Sequence, residues 1–142
     1  MPSKELLALL EDKAKQGLDV VLILPSHTDA KTVQWATRSF YTSLLESGVR
    51  IFEYQPSRLH AKTIIVDGMW SVIGSANLDN RSSQLNLEVI TGVYDPIFGA
   101  ALLEKFEEDR KVSEEITLTA WKPRSIFWGP VGFLSRAFIK QY

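Results

Sequence analysis

The chain has 142 residues and a formal net charge of −1, so it is long enough for one domain with a hydrophobic core of its own. Its 45% hydrophobic and 23% charged residues are ordinary for a globular protein, and the absence of cysteine excludes a disulfide framework and a thiolate metal site. No apolar run is long enough for a membrane-spanning helix, and the first residues lack the apolar core of a signal peptide.

The N-terminal part of the chain alternates between helix and strand signals. Ser3 is a plausible N-cap for a helix that ends at Gly17, and the continuous apolar run 20–24 is typical of a strand buried on both faces. After a loop, residues 31–46 predict a second helix, which Gly48 terminates. The inner face of this helix is expected to carry Trp35, Phe40, Tyr41, Leu44 and Leu45.

The middle of the chain predicts four strands, at residues 49–54, 60–66, 70–74 and 87–93. Between the second and the third of these, Asp67-Gly68 is a typical hairpin turn. These four strands follow the buried strand and the two helices of the N-terminal part, so helices and strands share one domain.

The last predicted element of the domain is a helix that opens at Pro96, since proline is tolerated in the first helical turn. Together the elements predict an α/β fold, in which a largely buried mixed β-sheet is flanked by helices on both sides. We expect residues 1–118 to form this domain and residues 119–142 to form a C-terminal tail.

The tail differs from the domain in its charge. All 17 Asp and Glu residues lie at or before Glu115, so residues 1–115 carry a net charge of −5 and the tail carries +4. Its aromatic residues alternate with its bases, and Pro130 and Gly132 argue against a single long helix. Two interpretations stay open: the tail packs on a protein surface, or it lies in the membrane interface against anionic headgroups. The second would make this a cytoplasmic protein that associates peripherally with a membrane.

Five polar residues in the middle of the chain have spacings that could bring them together. His60 and Lys62 are two residues apart, so on a strand their side chains share one face, and Asp67 falls on the opposite face. Ser75 and Asn77 have the same two-residue spacing on the next segment. An imidazole, an ammonium, a hydroxyl and an amide could then converge on one small anion, while Asp67 is expected to be buried and structural.

This arrangement, H-x-K-x4-D-x6-G-S-x-N, resembles the signature of the phospholipase D superfamily. A chance match to six fixed positions is on the order of one in ten million per frame. Other segments resemble the bacterial cardiolipin synthase branch, and the likeness extends over about residues 17–94. The resemblance implies a phospholipase D-like half-domain. The segments that carry it, besides the signature, are 35–41, 44–49, 53–56 and 78–82.

The resemblance implies phosphodiester chemistry that needs no metal and no other cofactor. His60 is the implied nucleophile, which would form a phosphohistidine intermediate, while Lys62, Ser75 and Asn77 would stabilise the phosphate. An attacking imidazole must present the right nitrogen, so its other N–H needs an acceptor. Glu88, on the last predicted strand, is the candidate for this role.

Several of these residues have a structural alternative. Ser75 and Asn77 could be ordinary turn residues, and Glu88 could be a solvated strand position. Asp67 belongs to the motif, but we interpret it as fixing the turn and the strand ends. His27, the other histidine, lies in a loop and is expected to be a surface residue, with a minor binding role left open.

The mechanism requires two histidines, one that attacks and one that protonates, and the motif supplies only His60. The resemblance implies two motif copies in most family members, and short single-motif nucleases as a dimeric precedent. Three possibilities follow: a homodimer that brings two copies of His60 together, a missing N-terminal half that supplies the second motif, or a folded but inactive half.

The leading functional hypothesis is phosphatidyl transfer of the cardiolipin synthase type, in which one phosphatidylglycerol donates its phosphatidyl group to a second. One alternative is a metal-independent phosphodiesterase that acts on lipid or nucleic acid. Nucleic acid is an improbable partner, because residues 1–115 are net acidic and no basic face is evident. Another alternative is a non-catalytic module that dimerises or docks on a membrane.

Overall fold

The computed structural model describes residues 2–28, 31–77 and 87–121. Within these ranges helices and strands alternate, which confirms the α/β class predicted from the sequence. The elements in chain order are α1 (Lys4–Lys15), β1 (Val21–Pro25), α2 (Lys31–Arg38), α3 (Tyr41–Glu46), β2 (Arg50–Tyr54), β3 (Thr63–Val66), β4 (Trp70–Gly74), β5 (Ile90–Tyr94), α4 (Pro96–Lys111) and β6 (Ser113–Ile116).

The first of two three-stranded sheets has the strand order β1-β2-β6. Strands β1 and β2 are parallel, and β6 is antiparallel to β2. Pro25 at the end of β1 lies beside Tyr54 at the end of β2, and Tyr54 also pairs with Ser113 at the start of β6. The loops that leave β1 and β2 therefore emerge at the same edge of the sheet, where α/β folds usually bind their ligands.

The hydrophobic core lies between this sheet and helices α1 and α3. Ile51 on β2 is fully buried, and Tyr41 and Leu44 on α3 pack in the same cluster. Trp121 belongs to this core as well, since it is only 2% exposed, its ring lies 5.0 Å from that of Tyr41, and its indole N–H donates to Thr42. The first residues of the tail therefore pack on the domain.

A buried ion pair joins α2 to β2. The Arg38 guanidinium donates to both oxygens of Glu53, at 2.9 and 2.7 Å, and the Tyr41 hydroxyl donates to the same carboxylate at 3.1 Å. Burial raises the pKa of Tyr41 far above its usual value, and the charge of Glu53 adds to this effect. Burial, the largest single effect, acts to lower the pKa of Arg38, but the hydrogen bond to Glu53 and the charge of Glu53, with a smaller effect of Tyr41, together outweigh it, so the pKa is raised.

The second sheet, β3-β4-β5, is antiparallel throughout. One face is covered by α4, whose Gly99 lies directly against the carbonyl of Gly68 in the β3–β4 turn, and Ser71 on this face is completely buried. The other face, which we name the open face, carries apolar side chains that no described element covers fully. The open face consists of Ile64, Val66, Trp70, Ile90 and Tyr94, which are 39, 44, 42, 59 and 74% exposed.

The structure differs from the sequence prediction at three elements. The predicted helix 31–46 is two helices, because the Ser39 hydroxyl donates to Ala36 O and the Phe40 N–H donates to Thr37 O, which tightens the chain into a short-range turn. Strand β6 was not predicted, because its sequence Ser-Glu-Glu-Ile is too polar to give a strand signal. The predicted single sheet is two sheets, and β1 and β3 face a common cavity between them.

None of the helices in the described ranges has both the length and the hydropathy that crossing a bilayer would require. The part of the tail beyond Trp121 lies outside the described residues, so the two interpretations of that segment both stay predictions.

Candidate active site

Three of the six predicted site residues, His60, Lys62 and Asn77, line a cavity of about 540 Å³ between the two sheets. Its walls are mainly apolar side chains, among them those of β1 and, from the open face, Ile64 and Ile90, and its polar residues are few. Apolar walls with a small number of polar groups are typical of sites that bind small molecules, and this volume is in the usual range. The polar or charged side chains among its lining residues include His60, Lys62, Asn77, Asp109 and Ser3.

His60 and Lys62 both line the cavity, but they do not lie on a strand as predicted. Strand β3 begins at Thr63, and the Gly74 N–H donates the last cross-strand hydrogen bond to Lys62 O at 3.2 Å. Beyond this point β4 turns away, because the Ser75 N–H donates to Val89 O instead. His60 is therefore exposed in the segment before β3.

Lys62 is half-buried, and its ammonium lies close to the backbone of His60. Its Nζ donates to His60 O at 2.9 Å, which fixes the direction of the lysine side chain. A lysine ammonium has three N–H donors, so this contact leaves donors for an anion that enters the cavity. The Lys62 ammonium therefore lies beside the backbone of His60, and both residues line the cavity, while the convergence of the ammonium with the His60 imidazole stays a prediction.

Asn77 lines the cavity with His60 and Lys62, whereas Ser75 does not. The Ser75 hydroxyl donates to the Glu88 carboxylate and accepts the Val89 N–H at 3.0 Å. These two contacts tie the end of β4 to the segment before β5. Ser75 and Glu88 therefore form a pair that fixes the start of the Asn77 segment, and Ser75 does not point its hydroxyl at the cavity.

Two further predictions concern Glu88 and Asp67. A hydrogen bond from the His60 ring to Glu88 is not among those that described residues form with one another. Asp67 lies in the β3–β4 turn with a φ of 53°, where Met69 N–H donates to Val66 O, which confirms its placement at a turn. The expectation that Asp67 is buried was wrong, since Asp67 is exposed, at the end of β3 remote from His60.

Asp109 and Phe106 on α4 line the cavity, and the sequence analysis did not identify either. Both lie on a helix about fifty residues along the chain from the motif, and the sequence of this helix contains no part of the signature. Their position at the cavity depends on the packing of α4 against the second sheet. The sequence pattern carries no signal that could have placed them there.

Two other segments were expected near the site. His27 is exposed, as predicted, and its Nδ1 lies 2.6 Å from the Ser26 hydroxyl, which itself donates to Tyr54 O. This contact orients the His27 ring at the end of β1. The segment 78–86, which includes part of the family-like sequence, lies outside the described residues.

Comparison with known proteins identifies the family. A family model described as cardiolipin synthase, phospholipase D-like domain, matches residues 1–110. The chain is 37% identical over 124 residues to cardiolipin synthase A of Proteus mirabilis and 39% identical over 126 residues to cardiolipin synthase 2 of Bacillus anthracis. These alignments cover 87% and 89% of this chain but only 26% and 24% of the relatives, so the chain spans about a quarter of their length.

A solved structure supports the fold assignment independently. The phospholipase D family member Nuc from Salmonella typhimurium superposes with a TM-score of 0.72, covering 82% of this chain and 76% of that chain. The sequence identity over this match is 18%, so it is evidence for the fold alone. From the family model and the identity to the two synthases, the chain belongs to the phospholipase D superfamily, in the family of cardiolipin synthase-like domains.

Proposed function

We propose that this domain transfers a phosphatidyl group between two phospholipid molecules, as its relatives' name of cardiolipin synthase suggests. The observation that carries this proposal is that His60, Lys62 and Asn77 line one cavity with apolar walls. A nucleophile, a cation and an amide donor are the groups that attack at a phosphodiester requires. The apolar walls favour a lipid over a soluble phosphodiester.

The reaction would proceed in two displacements at phosphorus. In the first, an imidazole nitrogen of His60 attacks the phosphorus of one phosphatidylglycerol. A P–N bond forms, the P–O bond to the headgroup glycerol breaks, and the departing alkoxide takes a proton to leave as glycerol. In the second, a headgroup hydroxyl of another phosphatidylglycerol attacks, so that a P–O bond forms, the P–N bond breaks and the hydroxyl proton is released. The product is cardiolipin.

Each site residue has a distinct role in this scheme. Lys62 and Asn77 stabilise the non-bridging oxygens as charge shifts onto them. Ser75 is a positioning residue, because its hydroxyl is already engaged with Glu88 and Val89. Glu88 positions Ser75 and is our candidate acceptor for the other N–H of His60, since catalytic hydrogen bonds often close only in the substrate complex.

The proton for the departing glycerol must come from a second acid, and we propose that a second motif-bearing half supplies it. The open face supports such a partner. A solvated face of an antiparallel sheet is normally polar, whereas this one exposes Val66, Trp70 and Tyr94. A second copy of this chain or another half of a longer enzyme would cover these side chains and bring a second histidine to the cavity.

We also propose that the protein works at a cytoplasmic membrane surface. The substrate is a lipid, and the tail combines aromatic residues with four bases and no acid. Such a composition favours anionic interfaces. Residues 1–115 carry a net negative charge, which would repel the phosphates of a nucleic acid and argues against nucleic acid as the substrate.

Turnover of phosphatidylglycerol by wild type and by His60→Ala and Lys62→Ala variants tests this proposal. We expect wild type to form cardiolipin and glycerol, His60→Ala to form neither, and Lys62→Ala to lose at least about a hundredfold in rate. A chelator should leave the wild-type rate unchanged, because protein side chains supply the positive charge.

Three results would exclude the proposal. Turnover by His60→Ala at the wild-type rate would remove the covalent mechanism. A wild type that is inactive on the lipid but cleaves DNA in the presence of chelator would assign the domain to the nucleases instead. Formation of phosphatidic acid in place of cardiolipin would show that water is the acceptor.

A further inference from the structure

The open face of the second sheet is a surface that the described elements leave without a cover. Val66, Trp70 and Tyr94 lie at one end of this face and are 44, 42 and 74% exposed. The Trp70 ring lies beside Gly92 of β5, where the strand has no side chain, so aromatic surface extends across β4 and β5. An exposed apolar patch of this kind normally marks a docking surface.

The open face and the core of the first sheet lie on the same side of the molecule. The sheets lie side by side, since their edge strands β1 and β3 line the same cavity, and α4 contacts strands of both. The Arg110 guanidinium of α4 lies over the Phe52 ring of β2, 5.6 Å from its centroid. Ile51, the neighbour of Phe52, points to the opposite side, into the core that contains Trp121. Because the open face is also opposite α4, it lies on the side where Trp121 packs.

The described part of the chain therefore ends within reach of the open face. Trp121 is fixed on α3 by Tyr41 and Thr42, and α1 lies between this point and the second sheet. Neighbouring strands are about 4.8 Å apart, so the open face is only a few strand spacings away. About twenty residues follow Trp121, and they span about 30 Å as a helix or about 70 Å when extended. This length is sufficient to pass α1 and to cover the face.

Residues 122–142 also have the composition that this face requires. They carry four bases and no acid, opposite in sign to the net charge of −5 on residues 1–115, so long-range attraction favours contact. Their aromatic residues are Phe127, Trp128, Phe133, Phe138 and Tyr142.

Residues 78–86, which also lie outside the described ranges, are less suited to cover the face. Their sequence is mostly polar, and they connect the end of β4 at Gly74 to the start of β5 at Ile90. Trp70 and Tyr94 pair at the opposite ends of these strands.

We propose that residues 122–142 pack on the open face of their own domain when no membrane is present. An anionic membrane competes for the same aromatic and basic residues, so membrane binding uncovers the face. The competition by the membrane rests on the proposed function, whereas the docking itself does not. A second half of the site would then associate with the face only where the lipid substrate is present.

Spin labels on the full chain test this docking, because the chain has no cysteine and accepts labels at two chosen cysteines. Ser135→Cys labels the tail, and Ile97→Cys labels an 82% exposed position just beyond β5. Double electron–electron resonance, with an excess of unlabelled chain, measures the distance within one molecule. We expect a narrow distribution at short distance in solution and a broad one at longer distance with phosphatidylglycerol vesicles. Phosphatidylcholine vesicles should leave the short distance unchanged.

Variants on both sides of the contact separate docking from chance proximity. Tyr94→Lys puts a charge on the open face, and Phe138→Ser removes an aromatic ring from the tail without altering the domain. Each should give the broad distribution in solution, with no membrane present. Leu9→Lys, at an exposed apolar position on α1, is the control and should keep the narrow distribution.

The outcomes separate this inference from the proposed function. A broad distribution in the wild type, or a narrow one that survives both Tyr94→Lys and Phe138→Ser, would overturn the docking. A short distance that appears only between singly labelled chains would assign the face to a second copy and overturn it as well. A short distance that phosphatidylglycerol vesicles leave intact would overturn the competition. If the tail docks as expected but phosphatidylglycerol is not turned over, the proposed function fails and the docking stands.

Discussion

Two serines on the second sheet show how the same hydroxyl can have opposite effects on stability. Ser71 is completely buried, and its hydroxyl has no hydrogen-bond partner within the described part of the chain. Ser75, four residues on, is exposed and both donates and accepts. A buried polar group without a partner lowers the free energy of unfolding, whereas a hydrogen bond to a charged group raises it.

We therefore expect Ser71→Ala to leave the free energy of unfolding unchanged or to raise it by up to about 1 kcal/mol, because the substitution removes an unpaired polar group. Ser75→Ala should lower it by about 1–2 kcal/mol, since the Glu88 and Val89 contacts are lost. Urea unfolding of both variants measures these differences. A loss of more than about 1 kcal/mol in Ser71→Ala would show that its hydroxyl is satisfied.

The Tyr41 phenol gives the domain a pH dependence on the alkaline side. Its pKa is raised in the folded state by burial first and by the charge of Glu53, so folding favours the neutral phenol. This stabilisation is complete below the unfolded pKa of about 10 and is lost as the pH rises above it. Wild type should therefore lose about 1.4 kcal/mol per pH unit relative to Tyr41→Phe above about pH 10.

Urea unfolding at several pH values between neutral and strongly alkaline measures this difference. Near pH 8 the Tyr41→Phe variant should be less stable by about 1 kcal/mol, because it lacks the hydrogen bond to Glu53. The gap should close with rising pH. Tyr94→Phe, whose phenol is 74% exposed, is the control and should parallel wild type. A constant gap between wild type and Tyr41→Phe would contradict the account.

At the scale of single elements, one glycine sets how closely α4 approaches the second sheet. A Cβ at Gly99 would overlap the carbonyl oxygen of Gly68 in the β3–β4 turn. Gly99→Ala gains about 1 kcal/mol of helix propensity but forces α4 away from the sheet. We expect a net loss of about 1–3 kcal/mol of stability.

Thermal and urea unfolding of Gly99→Ala test this balance. Ala101→Gly, at an exposed position on the same helix, is the control and should lose only about 1 kcal/mol through helix propensity. A stabilised Gly99→Ala variant would mean that α4 can shift without cost.

The elements that the sequence predicted correctly are those whose pattern is local. The hairpin at Asp67, the helix that Pro96 opens and the apolar strands all depend on neighbouring residues. The break at Ser39 depends on one side-chain hydrogen bond, and the polar strand β6 exists because β2 offers it an edge. Neither leaves a periodic signal.

Among the site residues, too, those with a local sequence pattern were predicted and those that depend on distant contacts were not. The motif spacing placed His60, Lys62 and Asn77 together, because both strands of one hairpin return to the same end. The role of Ser75 was not predictable, since its partner Glu88 comes from another segment. Asp109 needs the whole packing of α4, so it could be found only in three dimensions.

At the scale of the whole molecule, the proposal that a second half covers the open face predicts that activity depends on association. If a second half completes the site, the specific activity should rise with protein concentration and follow the dimer fraction measured by analytical ultracentrifugation. Tyr94→Lys puts a charge on the most exposed residue of the open face and should abolish both dimerisation and turnover. Leu9→Lys, at a similarly exposed apolar position on α1, should alter neither.

A specific activity that stays constant down to concentrations at which the chain is monomeric would show that one motif suffices. In that case the acid that protonates the departing glycerol lies within this chain.

The measurement that tests the central claim most directly is the location of the covalent intermediate. Wild-type protein at a concentration that favours association is mixed with phosphatidylglycerol, quenched in alkali and digested for mass spectrometry. Alkali hydrolyses the acyl esters but leaves the P–N bond intact, so we predict a glycerophosphoryl adduct that is stable to alkali and labile to acid, on the imidazole of His60. Cardiolipin formation with the adduct on another residue, or its undiminished formation by His60→Ala, would contradict this account.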